Sequence, residues 1–214
     1  MSAIYNAVGV RSVYYVVVEK VYFVTKKDEP TGEVSEKLEA HHSDTKLHAA
    51  FSCYVFNEKG EFLVTQRANS KKVWPCVWTN SCCGHPAPGE SREDAIMRRM
   101  QEELGMTVEN IQLVLPNYVY KTPPFKGIIE HEYCPLYVAT ATSGIKPNPE
   151  EVKDYKWVRW EWFLGQASAD DSDYTDPASL EAPKWSWWCK DQVKLLKENK
   201  RFTDLLTAMN ETSV

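Results

Sequence analysis

The sequence lacks any uninterrupted apolar run of about 18 residues, so no membrane-spanning helix is expected. Its most apolar short stretch, residues 13–18, is closed by Glu19 and Lys20 and lacks a small-residue cleavage site. That stretch therefore reads as a strand rather than a leader, and the chain is expected to be cytoplasmic. A basic excess is also missing: 25 Lys and Arg stand against 30 Asp and Glu, a formal charge of -5. That balance argues against a general nucleic-acid binder but leaves room for a local basic pocket that takes a small anion. Six cysteines in 214 residues are too sparse for a disulfide scaffold, so they read as thiols, most of them in the core. No fixed-period repeat or low-complexity tract is present. What remains is 43% hydrophobic and 26% charged, the composition of one packed domain rather than a disordered chain.

Residues up to Val24 read as one or two β-branched and aromatic strands, ended by a turn over residues 28–32. Two strand-like runs, 51–56 and 62–66, flank Asn57-Glu58-Lys59-Gly60 and predict a hairpin. A loop rich in Trp, Pro, Cys and Gly occupies residues 73–90. The next segment, 91–104, predicts a helix: Ser91 with Asp94 fits a cap, Ala95, Ile96, Met100 and Leu104 recur at helical spacing, and Gly105 supplies the stop. Further strands are expected at 111–115, 119–121, 132–141 and 155–158. Residues 165–183, rich in Asp and poor in apolar side chains, read as a surface excursion. The segment 190–209 reads as one terminal helix. Strands, a helix, more strands and a helix make an α+β fold. It divides into an N-terminal strand extension (1–31), a main domain (32–190) and a C-terminal helix packed on it (191–214).

Gly84, Glu90, Arg98, Met100, Glu102, Glu103, Gly105 and Met106 stand at fixed spacing. On a helix, Arg98 lies beside Glu102 and Arg99 beside Glu103. A solvated helix laced with ion pairs would give such charges, but not the whole spaced pattern. The pattern resembles the Nudix box, a loop–helix–loop whose glutamates carry divalent cations for diphosphate substrates. Magnesium wants hard oxygen ligands and shares them with phosphates. One position departs from the box: Arg99 stands where a glutamate that handles metal and water is expected. A guanidinium donates and stays charged where a carboxylate accepts. The scaffold is therefore expected to hold phosphate without the full apparatus for hydrolysing it.

His41 and His48 precede the first hairpin strand, His85 follows Cys83 by two residues, and Glu130-His131-Glu132 opens a later strand. In an extended segment Glu130 and Glu132 share a face, so the two carboxylates can converge on one ion. Three imidazoles and two carboxylates suit a divalent metal of mixed nitrogen and oxygen preference rather than a thiolate-rich structural zinc. Singly, each of these residues more often has an ordinary structural role.

Taken together, "EKLEAHHSDTKLHAAF", "TQRANSKK", "WPCVWTNSCCGHP" and "EHEYCP" closely resemble the type 1 isopentenyl-diphosphate delta-isomerase family, from about Gly32 to Trp188. The resemblance includes the arginine at 99. It implies a Nudix-like fold of mixed β-sheets flanked by helices, and an enzyme that interconverts isopentenyl and dimethylallyl diphosphate. It implies that Cys83, rather than the adjacent Cys82, and Glu132 move the protons from opposite faces of the isoprenoid, with Tyr120 hydrogen-bonded to the glutamate. It places a first divalent metal (manganese, zinc or magnesium) on His41, His48, His85, Glu130 and Glu132. A diphosphate-bridging magnesium falls on Glu103 and the main chain of Cys83. Lys37, Arg67, Lys71 and Arg99 match the phosphate-contacting positions. Trp188 aligns with the family's active-site tryptophan, but Trp187 replaces a proline, and which of Trp185, Trp187 and Trp188 faces the substrate stays open. The small diphosphate is the expected partner of a monomer or weak homodimer, with no nucleic acid and no membrane insertion. The competing readings are a Nudix pyrophosphohydrolase and a non-catalytic, metal-stabilised binding module.

Overall fold

The structure, a computed structural model, describes residues 19–170 and 185–211. The apolar stretch at 13–18 and most of the aspartate-rich excursion lie outside the described residues. Strand β1 (Lys20–Val24) turns over residues 25–29 into β2 (Pro30–Glu36). The turn comes earlier than the expected 28–32, because the Thr25 hydroxyl accepts from the amides of Lys27 and Glu29. Pro30 then starts an edge strand, where its missing N–H costs nothing. A short helix, α1 (Lys37–Ala40), leads to β3 (His48–Ala49).

After Ala50 the chain enters a second sheet with β4 (Phe51–Phe56) and β5 (Phe62–Arg67). The expected hairpin is present but splayed, since only Phe56 and Phe62 pair directly. Two short strands from the expected loop fill the fork: β6 (Trp78–Thr79) on β5 and β7 (Cys82–Gly84) on β4. Ser81 bridges the fork, accepting from the Val55 amide at 2.8 Å and donating to the Leu63 carbonyl at 2.7 Å. Helix α2 (Arg92–Leu104) follows the sequence expectation: Ser91 accepts from the Asp94 amide, and Gly105 ends the helix in the left-handed region at φ 56°.

Beyond α2 come β8 (Val108–Leu115), β9 (Val119–Lys121), β10 (His131–Tyr133), β11 (Leu136–Ala141) and β12 (Val152–Val158). The expected strand at 132–141 is two strands in two sheets, divided at Cys134 and Pro135, where the proline has no amide to continue a ladder. Parallel pairs β3–β10 and β4–β11 cross between the sheets side by side. The first sheet runs β2-β1-β3-β10-β9 and the second β12-β5-β4-β11-β8.

Helix α3 (Trp160–Ala169) was not anticipated and includes the start of the supposed excursion. Its buried Trp160, Phe163 and Ala167 have helical spacing. The expected single terminal helix is two, α4 (Trp187–Leu196) and α5 (Lys200–Glu211). Asn199 breaks it by accepting from the Phe202 amide at 2.9 Å while donating to the Val114 carbonyl at 3.2 Å.

Strand β4 is buried along its whole length, as befits a strand covered on both faces. Phe51, Cys53 and Val55 pack with Ala95, Ile96, Met100 and Leu104 of α2. Tyr54 and Phe56 face the opposite way, toward Trp160, Phe163, Val193 and Phe202. All six cysteines are free thiols. Among the described residues, no helix is long and apolar enough to cross a membrane.

Candidate active site

Strand register builds the first cluster. Glu132 pairs across the sheet with His48 on β3 and with Tyr120 on β9, so the three residues lie in one row. His41, just past α1, and His85, just past β7, close around them. One ligand atom from each of His41, His48, His85 and Glu132 lies within 4.8 Å of the others. Glu132 Oε1 stands 3.0 Å from His85 Nε2, 3.6 Å from His48 Nε2 and 4.0 Å from His41 Nε2.

The imidazoles are aimed from behind. His41 Nδ1 donates to the Lys37 carbonyl at 2.6 Å and His48 Nδ1 to the Lys46 carbonyl at 3.0 Å. That tautomer leaves the Nε2 lone pairs pointing inward, the arrangement metal-ligating histidines show. Both Nε2 atoms are buried and unpartnered. Buried nitrogens without partners are costly, and a divalent cation among them is the chemistry that relieves the cost. The residues therefore fit a metal. Burial holds the His85 imidazole down at about 4, so it remains neutral and able to ligate.

Glu132 divides its two oxygens. While Oε1 faces the imidazoles, Oε2 accepts a 2.6 Å hydrogen bond from the Tyr120 hydroxyl. Glu130 borders the same cavity, 3.4 Å from that hydroxyl, but its carboxylate stays outside the four-residue cluster. Burial raises both carboxyls. At Glu132 the His85 imidazole, 3.0 Å away, leads the influences that outweigh burial and hold the group well below the usual range, whereas at Glu130 the charge of Glu132 adds to burial.

Cys83 enters the cavity from the β4–β5 fork, opposite Ser52 in the register. Its Sγ lies 3.1 Å from Asn80 Oδ1 and 3.2 Å from Ser52 Oγ. Asn80 Nδ2 donates to the Cys53 and Cys82 carbonyls, so Oδ1 is fixed as the acceptor for the thiol. Behind Ser52, Gln192 donates at 2.9 Å and accepts in turn from Tyr54 at 2.8 Å. Burial pushes the Cys83 thiol up to about 12, although both hydrogen bonds pull it down. Cys83 is thus a neutral thiol and Glu132 an ionised carboxylate, a donor and an acceptor bordering one cavity.

Cations line another part of the cavity: Lys37, Arg67, Lys71 and Arg99. Arg67 is fixed by the carbonyls of Trp74 (3.1 Å) and Val73 (2.9 Å), and Lys37 pairs with Glu19 at 2.8 Å. Buried Arg99 approaches Gly84 so closely that a Cβ there would meet its Cγ at 3.1 Å. Its guanidinium bonds Glu103 at 2.6 Å, Glu102 at 2.9 Å and Glu151 at 3.3 Å, and Lys71 pairs with Glu151. Glu103 also borders the cavity, as a carboxylate beside the cations. Arg98 has another task, clamping Glu90 at 2.7 and 2.8 Å and bonding the His85 carbonyl at 3.2 Å, which holds the loop before α2 in place.

Of the three late tryptophans, Trp188 lines the cavity; its Nε1 donates to Thr79 at 3.0 Å and the Arg67 guanidinium lies 5.6 Å from its ring centroid. Trp187 lies 5.9 Å from the Tyr120 ring, and Trp185 is buried against Phe163. Sequence reasoning did not single out Ser52, Asn80, Thr79, Glu19 or Glu151. Asn80 had a signal, standing inside the quoted cysteine loop, but Glu151 had none, because a distant turn brings it to Lys71.

The NUDIX domain family matches residues 46–177. Over 180 residues the chain is 43% identical to the isopentenyl-diphosphate Delta-isomerase of Saccharopolyspora erythraea, covering 84% of this chain and 87% of that one. It is 49% identical over 151 residues to the isopentenyl-diphosphate Delta-isomerase of Citrobacter koseri, covering 71% and 83%. Among solved structures, a Deinococcus radiodurans protein superposes with TM-score 0.57 at 20% identity, over 86% of this chain and all of that one. The MutT protein of Methanosarcina mazei Go1 gives 0.51 at 20% identity, over 72% and 96%. These two likenesses speak for the fold alone.

Proposed function

The chain belongs to the isopentenyl-diphosphate Delta-isomerase family of NUDIX-domain proteins, and from that premise we propose that it interconverts isopentenyl and dimethylallyl diphosphate. The observation that carries this reading is one cavity bordered by the Cys83 thiol, the Glu132 carboxylate and four cations.

Moving a double bond along a simple alkene requires a proton added at one carbon and another removed two bonds away. Cys83 supplies one proton-handling group and the Glu132–Tyr120 pair the other, and their roles exchange in the reverse direction. The tertiary cation between the two transfers must be kept from water. The face of Trp188 can stabilise a desolvated cation by about 1–2 kcal/mol. Lys37, Arg67, Lys71 and Arg99 grip the diphosphate, and this remote binding positions the alkene between the two proton-handling groups.

His41, His48, His85 and Glu132, with Glu130 beside them, would hold one divalent metal (manganese, zinc or magnesium). Glu103 and the main chain of Cys83 would hold a magnesium, which would supply positive charge for the diphosphate. Such ions would fix the carboxylate's orientation and neutralise diphosphate charge. Arg99, tied to Glu103 where the hydrolase box has a glutamate, speaks against diphosphate hydrolysis. The chain is proposed to act as a monomer or weak homodimer, in the cytoplasm, on a small diphosphate.

The test is incubation with isopentenyl diphosphate and magnesium in deuterated water. Deuterium-labelled dimethylallyl diphosphate is the expected product; phosphate release without isomerisation would transfer the chain to the hydrolases.

A further inference from the structure

Among the described residues, Glu151 is the one carboxylate on the cavity wall to which the proton and metal chemistry above gives no task. It stands immediately before β12. Its Oε2 pairs with the Lys71 ammonium and lies 3.3 Å from Arg99 Nη2. These cations come from separate elements, Lys71 from the segment after β5 and Arg99 from α2. An oxygen shared by an ammonium and a guanidinium occupies the place a phosphate oxygen would take. The backbone does not depend on that side chain. The Ala68 amide donates to the Glu151 carbonyl at 3.0 Å, Ser70 Oγ donates to the Glu150 carbonyl at 3.0 Å, and the Glu151 amide donates to Asn148 at 3.0 Å. Arg99 has independent anchors in Glu102 and Glu103.

We infer that Glu151 is a resident counter-ion of the diphosphate cradle: its carboxylate competes with the substrate's phosphates for Lys71 and Arg99 and so sets how readily the diphosphate leaves. The inference rests on the diphosphate reading of the site. Once displaced, a carboxylate beside a polyanion repels it through a partly buried medium. Binding is weakened, and release, which limits many enzymes, is made faster.

Glu151→Gln keeps the shape and removes the charge. The dissociation constant for magnesium pyrophosphate, measured by calorimetry, is expected to fall about fivefold to thirtyfold. In turnover KM and kcat should fall together, the signature of slowed release rather than of lost positioning. Glu151→Asp retains the charge and should bind pyrophosphate much as the parent chain does. A rise in KM, or pyrophosphate binding by Glu151→Gln that is weaker or unchanged, would overturn the counter-ion role; so would an aspartate variant that behaves like the glutamine one. If the parent chain itself fails to bind magnesium pyrophosphate, the diphosphate reading falls, and the inference with it.

Discussion

Tyr120 and Glu132 form one register pair of β9 and β10, and the phenol donates to Glu132 Oε2 at 2.6 Å, leaving Oε1 to the imidazoles. The bond is buried and its acceptor is charged, which puts it among the stronger hydrogen bonds, worth about 1.5–3 kcal/mol. It also fixes which oxygen faces which partner. Tyr120→Phe should therefore lower kcat about tenfold to a hundredfold while leaving KM nearly unchanged, because the phenol acts on the carboxylate rather than on the phosphates. Steady-state kinetics decide the point. An unchanged kcat would mean that the hydrogen bond has no part in the proton transfer.

Cys82 and Cys83 are adjacent on β7, yet the strand sends them to opposite sides. Cys82 packs with the α2 core, and Cys83 reaches Asn80 and Ser52. Cys83→Ala should abolish turnover while pyrophosphate binding persists, and Cys82→Ala should still turn over. With its thiol at about 12, Cys83 should alkylate slowly with iodoacetamide near neutral pH. Substantial activity in Cys83→Ala would remove the thiol from the reaction.

Features written in local chemistry were legible in the sequence. Ser91 and Gly105 bound α2 because a cap and a left-handed stop need only their neighbours, and β9 falls at residues 119–121 as expected. Features decided by distant contacts were not. Nothing near Phe51 announces that β7 will wedge the hairpin open, and the break at Asn199 depends partly on the Val114 carbonyl. The α3 spacing of Trp160, Phe163 and Ala167 was readable, but the aspartates beyond it hid the pattern. At the site, the cations and histidines were legible as a set. The separation of Glu130 from the imidazole cluster was not, because residue 130 precedes β10 and is positioned by Thr122, whose hydroxyl accepts from its amide at 3.0 Å.

The inward nitrogens of His41 and His48 are buried without partners, so stripping metal should cost both stability and activity. A metal held at a hundred times its dissociation constant stabilises by about 2.7 kcal/mol. For a chain of this size that corresponds to a thermal midpoint about 5–10 °C lower after chelation. Restoring divalent metal should return both the midpoint and turnover. A midpoint indifferent to chelator, measured by scanning calorimetry, would show that the cluster is not a metal site.

Gly105 tests how firmly the end of α2 supports the site. Its φ of 56° favours glycine, and a Cβ there would stand 2.6 Å from the Lys146 carbonyl oxygen, a backbone atom that cannot swing aside. The Lys146 and Asn148 amides donate to the carbonyls of Leu104 and Glu103, both at 2.8 Å, so the helix end and the turn leading to Glu151 are stitched together at this point. Gly105→Ala should destabilise the fold by about 2–4 kcal/mol in urea unfolding, from backbone strain and the clash together. Because moving this turn also shifts Glu103, the variant should show weakened magnesium pyrophosphate binding even at temperatures where it stays folded. Unaltered binding in the folded variant would show that the cradle is positioned by the sheets and not by the α2 terminus.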